Sequence, residues 1–544
     1  MSSRAGPMAK TAIATGRRAA AAVHRDQGPV RVPWALWQAW GMSTGEVISR
    51  EDDGPFPAAL PHVVVIGGGI AGLAAAFYLK DDPVRVTVLE GAGRLGGKLS
   101  ASDVAGVAMD EGAEALLARR PEGIGLITAA GLGGDLVPAG VTSSAIYTRG
   151  AMRPLPRRQF MGVPADLDEL AATGVISPEG VARARAEEVR PAEGGDASVT
   201  DYVGSRLGAE VVDRLVDPLL GGVYAGRSED LSFAATLAPL AAAARGHAAL
   251  TEAVTSLLPP QPSQAQPRQA QPRQAQPSQA QGDGKPAPVF VTLTSGLGAL
   301  PEALAKASGA EIRTGEMVRE LSRTELGWRL TIGSAADPEY LDADAVIIAV
   351  PAAPAARLLR DAAPVAATQL AGIPYASMAI ITLAFRAADL FRGQSTEQQR
   401  SGYLVPAVDG RAVKAATFST VKWPHLARQA PVHIVRCSIG RSGEVAVLQR
   451  DDADLADLAV AELGDALGVT ARPVARRVTR WGGGLPQYNV GHLDRVARIR
   501  AAVAEQPGLA VAGAAYDGIG IPACAATAKS AAAQVTAYLT ARRR

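Results

Sequence analysis

Val63 to Leu79 reads VVVIGGGIAGLAAAFYL. A continuous apolar run, a glycine cluster and a small-residue helical pattern follow one another without interruption. That order predicts a buried strand of a parallel sheet, a tight turn and a helix lying close against the strand. Gly67, Gly69 and Gly72 form GxGxxG, with Gly68, Ile70 and Ala71 between them. The first glycine permits the turn, the second lets backbone approach a pyrophosphate, and the third lets the helix pack on the strand. The helix starting near Ile70 would point its positive end at the phosphates. Glycine-rich turns occur in many strand–helix connections, so the ligand has to be read from the rest of the chain.

The stretch RVTVLE (85–90) is a second buried strand, ending in Glu90. A carboxylate about 20 residues beyond the loop is placed to accept hydrogen bonds from ribose hydroxyls. EGAGRLGGKLSA then brings Gly91, a second glycine pair at Gly96 and Gly97, and the cations Arg94 and Lys98. MDEGAEALL puts Asp110, Glu111 and Gly112 at a turn. These features fit a cofactor extending past its pyrophosphate, which favours FAD over NAD. The competing reading is a charged loop with glycine turns.

Bulk properties narrow the class. The 544 residues suffice for two or three domains. A formal net charge of +2 gives no reason to expect nucleic-acid binding. Cys437 and Cys524 lie far apart in sequence, without metal spacing or a disulfide framework, which points to a reducing cytoplasm. The six histidines form no HxxxH or HExxH pattern, so no protein-ligated metal is expected. No apolar run is long enough for a spanning helix, which leaves contact with a membrane face open.

Two stretches stand apart. Residues 1–60 read as a disordered extension, with Trp34, Trp37 and Trp40 spaced three apart. They form an interfacial or partner-binding helix, or else a loosely ordered tail, or a start codon assigned too far upstream. Residues 259–284 repeat a Gln-Ala-Gln-Pro unit and read as a disordered insertion in a surface loop. Elsewhere DADAVIIAV (342–350) reads as a parallel-type strand, and VFVTLTSGLGALPEALAKAS as strand, turn and helix. PYASMAIITLAFR (374–386) and PVHIVRCSIG (431–440) read as antiparallel strands. DDADLADLAVAELGDALGV is an amphipathic helix with Leu455, Leu458, Val460 and Leu463 on or near one face. With nucleotide-type patterns at both ends, one domain is assembled from separated segments and another is inserted between them.

GGGIAGLAAAFYL…EGAGRLGGK resembles the flavin-dependent amine oxidase and protoporphyrinogen oxidase superfamily. VVDRLVDPLLGGVYAG (211–226), VKWPH (421–425), TRWGGGLPQYNVGH (479–492) and GIGIPACAATAKSAA (518–533) narrow the resemblance to the Gram-positive-type protoporphyrinogen/coproporphyrinogen oxidases, from about His62 to Leu539. The implied fold is α/β (α+β). It has a discontinuous Rossmann-like FAD-binding domain (61–115 with about 210–230, 288–350 and 495–544). A helical, membrane-facing-like subdomain spans about 116–209, and a mixed or antiparallel-sheet substrate-binding domain about 351–494. Implied FAD contacts are Gly67, Gly68, Gly69, Ile70, Ala71 and Gly72, then Glu90, Gly91 and Lys98. Gly112, Ala113, Glu114 and Ala115 follow, then Val318, Trp481, Ile519, Gly520 and Ile521. Val318 also suits its role by its own surroundings, a strand-like stretch whose backbone can pair with an adenine edge. The chain departs from the pattern at Ala523, where an acid is expected before the cysteine, and at Gly91, where alanine is common.

The implied activity is FAD-dependent oxidation of coproporphyrinogen III to coproporphyrin III in haem biosynthesis, with O2 as acceptor and H2O2 as product. Protoporphyrinogen IX is the close alternative substrate. An amine oxidase or carotenoid desaturase, and a flavin-binding or membrane-scaffolding protein without turnover, are the others. No acid–base residue is nominated, because the flavin carries the redox step. Arg120 is the first candidate for a substrate propionate, then Arg119, with Arg153, Arg157 and Arg158 behind them. A downstream ferrochelatase and a peripheral membrane surface are implied partners, and the expected location is cytoplasmic or membrane-associated.

Overall fold

Val63, Val64, Val65 and Ile66 are all buried, and successive residues face opposite cores. Side chains on a strand alternate between sheet faces, so a strand covered on both sides must be apolar throughout. The computed structural model describes residues 60–189, 195–259, 288–391 and 400–544. The readings for 1–60 and for 259–284 fall outside these, save for Leu60 and Pro259 at their edges.

The strand His62–Ile66 lies at the centre of a five-stranded parallel sheet. Arg85–Glu90 and then Glu311–Thr314 lie to one side, and Ala345–Ile348 and Leu509–Val511 to the other. The segments are up to several hundred residues apart in sequence, so the discontinuous Rossmann-like arrangement is what the chain forms. Val63 and Val65 face a layer built by the helices Ile70–Tyr78, Leu300–Ser308 and Ile521–Arg543. This layer is rich in alanine, and short side chains let the first helix and the closing helix approach closely. Val64 and Ile66 face the other layer. It holds a three-stranded meander, Val318–Arg323, Trp328–Gly333 and Pro338–Ala343, and the helices Ala352–Leu358, Pro364–Ala371 and His492–Ala504.

A second, seven-stranded sheet is antiparallel except where Ser144–Thr148 runs parallel to Gly402–Leu404. Its long strands, Tyr375–Arg386, Val432–Ile439 and Ala475–Pro486, pair antiparallel. Ile381, Leu383, Phe385 and Cys437 pack on the helix Asp452–Leu467, where Leu455 and Leu463 are buried. A third core is helical and runs from Leu167 to Leu257.

The helical region thus begins later and extends further than the expected 116–209. Leu116–Leu117 pairs with Phe290–Leu293, and Ser144–Thr148 with Ala151–Pro154 forms the far edge of the seven-stranded sheet. The helices at 352–371, expected in the substrate-binding part, instead cover the first sheet, because their buried alanines and leucines complete the layer under Val64 and Ile66.

Candidate cofactor and substrate site

The C-terminal edge of the parallel sheet opens onto the glycine turn. Gly67 adopts φ +111°, and a Cβ there would lie 2.7 Å from the Ala349 carbonyl oxygen. A Cβ on Gly72 would lie 1.8 Å from the Gly67 carbonyl oxygen, so only glycine lets the helix seat against its own turn. Gly69 differs: a Cβ there meets nothing within 4 Å. The helix it precedes has no side-chain cap and no acid in its first turn, so its amides stay available to an anion.

The second glycine pair backs onto the first. Gly96 N–H donates to Gly68 O (2.8 Å), and Gly97 approaches the Gly69 Cα. Glu90 accepts one backbone bond on each oxygen, from Gly68 N–H (2.7 Å) and from Ala92 N–H (2.8 Å). A carboxylate has about four acceptor positions, so capacity for two ribose hydroxyls remains. Gly91 lies against the Met317 side chain, whose terminal methyl a Cβ would meet at 2.8 Å; that flexible end can move aside, and nothing in the structure explains glycine where alanine is common. At Val318 a register shift interrupts the pairing with the next strand, a place where a strand can turn backbone groups toward another partner.

The turn at Gly112 carries the opposite wall. Trp481 Nε1–H donates to Glu111 O (3.1 Å), and its ring edge lies over Gly112. Glu114 is engaged on both oxygens: Lys422 (2.9 Å) on one, Arg436 (2.5 Å) and Ser419 (3.3 Å) on the other. Arg436 also donates to Gly112 O (2.6 Å). Two cations around one buried carboxylate hold the Glu114 carboxyl well below the usual carboxylate range, although burial opposes this. Glu114 therefore anchors the turn, and its carboxylate is not free for a ligand. Arg436 and Lys422 were not nominated from sequence. An arginine inside the apolar strand VHIVRCSI was the signal available.

The closing helix Ile521–Arg543 starts at Gly520 with no side-chain cap and no acid in its first turn, Ala523 standing where an acid is expected. Its N-terminal end meets Gly123, whose Cβ would lie 2.8 Å from Pro522. Lys98 is exposed over part of its side chain, and desolvation of the rest lowers its pKa. Burial pushes the Cys524 thiol up to about 12, so it stays protonated.

The two leading arginines separate. Arg120 N-caps the helix Pro121–Ile127 and pairs with Glu122 (3.3 Å). Arg119 makes no ion pair among the described residues and lies 6.0 Å over the Phe160 ring. Phe160 and Ile519 both pack on the helical core. Arg157 pairs with Glu169. Arg153 has a buried Nε without a partner. No group of three or more His, Cys, Asp or Glu among the described residues is arranged to hold a metal ion, and no helix among them is long and apolar enough to cross a membrane.

A glycine turn at the end of a parallel strand, an acid ending the next strand and an uncapped helix start form the arrangement of dinucleotide-binding oxidoreductases. Residues 70–536 match the model of the flavin containing amine oxidoreductase family, and the chain belongs to that family. Coproporphyrinogen III oxidase of Mycobacterium tuberculosis is 35% identical over 484 residues, covering 88% of this chain and 98% of the relative. The Bacillus subtilis enzyme of the same name is 30% identical, with the same coverage. The solved structure of a candidate protoporphyrinogen oxidase from Exiguobacterium sp. 255-15 is similar with TM-score 0.74 and 29% identity, over 88% of this chain and 99% of that one. Cyclohexylamine oxidase of Brevibacterium oxydans IH-35A shares the fold at TM-score 0.63 and 18% identity, over 88% of this chain and 99% of that one. The cofactor is FAD. The open Gly69 face and the remaining acceptor capacity of Glu90 suit the adenosine diphosphate half, and the uncapped helix ends suit its negative groups.

Proposed function

We propose that the chain oxidises coproporphyrinogen III to coproporphyrin III with O2 as acceptor, releasing H2O2. The observation that carries this reading is the 35% identity to coproporphyrinogen III oxidase along nearly the whole of both chains. The conversion removes six hydrogens in three two-electron steps, so three O2 become three H2O2. FAD supplies the hydride acceptor and its reoxidation by oxygen.

The chain binds and orients. Gly67–Gly72 and the helix end behind them hold the pyrophosphate, and Glu90 holds the ribose. Val318 meets the adenine, and the turn Gly112–Ala115 with Trp481 walls the isoalloxazine. Lys98 adds a cation, and Ile519–Ile521 present amides to the pyrimidine side. Holding a flat apolar macrocycle against the flavin is where the protein lowers the barrier. Arg119, without an acidic partner among the described residues and 6.0 Å from the Phe160 ring, is the better propionate ligand, while the exposed Arg120 already has Glu122 as a partner.

The test mixes the holoprotein with coproporphyrinogen III or protoporphyrinogen IX in air and follows porphyrin fluorescence and peroxide together. Faster turnover of the tetracarboxylate is expected. Faster turnover of the protoporphyrinogen would select the runner-up, and yellow protein inert to both would reject the reading. Arg119→Ala is expected to raise KM for coproporphyrinogen roughly tenfold, the scale of one charge-assisted hydrogen bond, at unchanged FAD content. Arg120→Ala is expected to change KM less.

A further inference from the structure

The stretch Gln487–His492 belongs to the resemblance, yet Tyr488 is 1% exposed and so lines no cleft. It lies beneath the loop Gly513–Gly520, which joins the last parallel strand to the closing helix. The Tyr488 hydroxyl donates to Ala514 O (2.6 Å) and accepts from Gly518 N–H (2.8 Å). One side chain thus ties the start of the loop to its end. Its ring is stacked on the His492 imidazole, 3.9 Å between centroids and 12° between planes. His492 Nε2–H donates to Tyr516 O (2.9 Å), a third tie on the same loop. On its other side Tyr488 meets Tyr224, and the Gln487 amide donates to Tyr224 O (2.8 Å). Tyr224 ends the helix Asp217–Tyr224 in the helical core. Tyr488 therefore stands between that helical core and the loop leading to the closing helix.

We propose that Tyr488 is a positioning residue that, by bridging Ala514 and Gly518, aims the Ile519–Ile521 amides and the positive end of the closing helix at the isoalloxazine. The proposal rests on the reading that FAD lies against that helix end. Fixed amide dipoles stabilise negative charge only when their geometry is set in advance. Without the hydroxyl, the two loop groups lose their common partner and the loop can settle elsewhere. The reduced flavin, which carries the charge, then loses more stabilisation than the oxidised flavin.

The test uses Tyr488→Phe holoenzyme, which keeps the ring and its stack. The midpoint potential of bound FAD, read by spectroscopic titration against redox dyes, is expected to shift negative. FAD content should stay near one per chain. The kcat should fall about tenfold with KM within about twofold, the pattern of a lost transition-state interaction. An unchanged potential and kcat with only a lowered melting temperature would show a structural brace and overturn the proposal. Should Tyr488→Phe fail to fold, 4-aminophenylalanine incorporated at position 488 keeps the ring and a donor to Ala514 O but offers the Gly518 N–H a poor acceptor, which breaks the bridge. A negative shift there supports the proposal, and an unchanged potential overturns it. The potential is read without porphyrinogen, so a wild-type protein inert to porphyrinogens would reject the proposed activity and leave this inference standing on its own result.

Discussion

Gly69 and Gly72 occupy one turn, but a methyl group meets different surroundings at each. At Gly72 it strikes the Gly67 carbonyl oxygen, whereas at Gly69 it enters open space. Gly72→Ala should therefore destabilise the fold itself, by about 1–3 kcal/mol or more, as overpacking does. Gly69→Ala should leave the apoprotein's melting temperature unchanged and abolish FAD retention, read as the flavin-to-protein absorbance ratio. Equal melting losses in both variants would contradict this contrast. Glu114 makes a different case. Replacing it with Gln leaves Lys422 and Arg436 facing each other without their shared carboxylate, and breaking such a buried set costs about 3–5 kcal/mol. The folded-state pKa of Glu114 is depressed, so its contribution is fully present above the unfolded carboxylate pKa and is lost as pH falls through the depressed folded value. Urea titrations between pH 7 and pH 3 should show wild-type stability falling on acidification. Glu114→Gln should start lower and fall less steeply, by up to about 1.4 kcal/mol per pH unit.

Among the elements, the short hairpin Gln159–Phe160 and Val163–Pro164 couples fold to site. Its Gly162 has φ +88°, and a Cβ there would lie 2.7 Å from the backbone of Leu215 and Val216. Gly162→Ala should push the hairpin off the helical segment Val212–Val216 and carry Phe160 away from Arg119. A lower urea midpoint together with a raised KM is expected; a lowered midpoint at constant KM would separate Phe160 from the substrate. This hairpin also shows where sequence reading stops. Arg85–Glu90 and Asp452–Leu467 were legible because burial on both faces, or on one helical stripe, leaves a local periodic record. The place of Ser144–Thr148 in the seven-stranded sheet was not, because although its hairpin partner Ala151–Pro154 is local, its other neighbour comes from residues 402–404 and no local pattern encodes that pairing. The shape of the glycine turn was legible for the same local reason, since its backbone and close contacts demand glycine. Arg119 and Arg120 are adjacent and chemically identical; Glu122 and the distant Phe160 distinguish them. Arg436 stood out only as a charge inside an apolar strand, and no local pattern could name its partner because Glu114 lies 322 residues away.

At the scale of the whole molecule, the proposed FAD cradle draws on Gly67 near the start of the described residues and Ile521 near their end. The sheet beneath it takes strands from five separate segments. No contiguous stretch of chain carries the site, so a bound cofactor joins parts that meet only in the native state. A ligand that binds only the native state stabilises it by RT ln(1 + [L]/Kd), about 2.7 kcal/mol at a hundredfold excess over Kd. Removing FAD should therefore lower the melting temperature, and adding it back should raise the midpoint with the logarithm of free FAD. Flavin fluorescence and helical circular dichroism should change at one common midpoint, because the closing helix contributes to both the cradle and the alanine-rich core behind it. Flavin release well below the loss of helix would mean that the helix end facing the isoalloxazine loosens before that core opens.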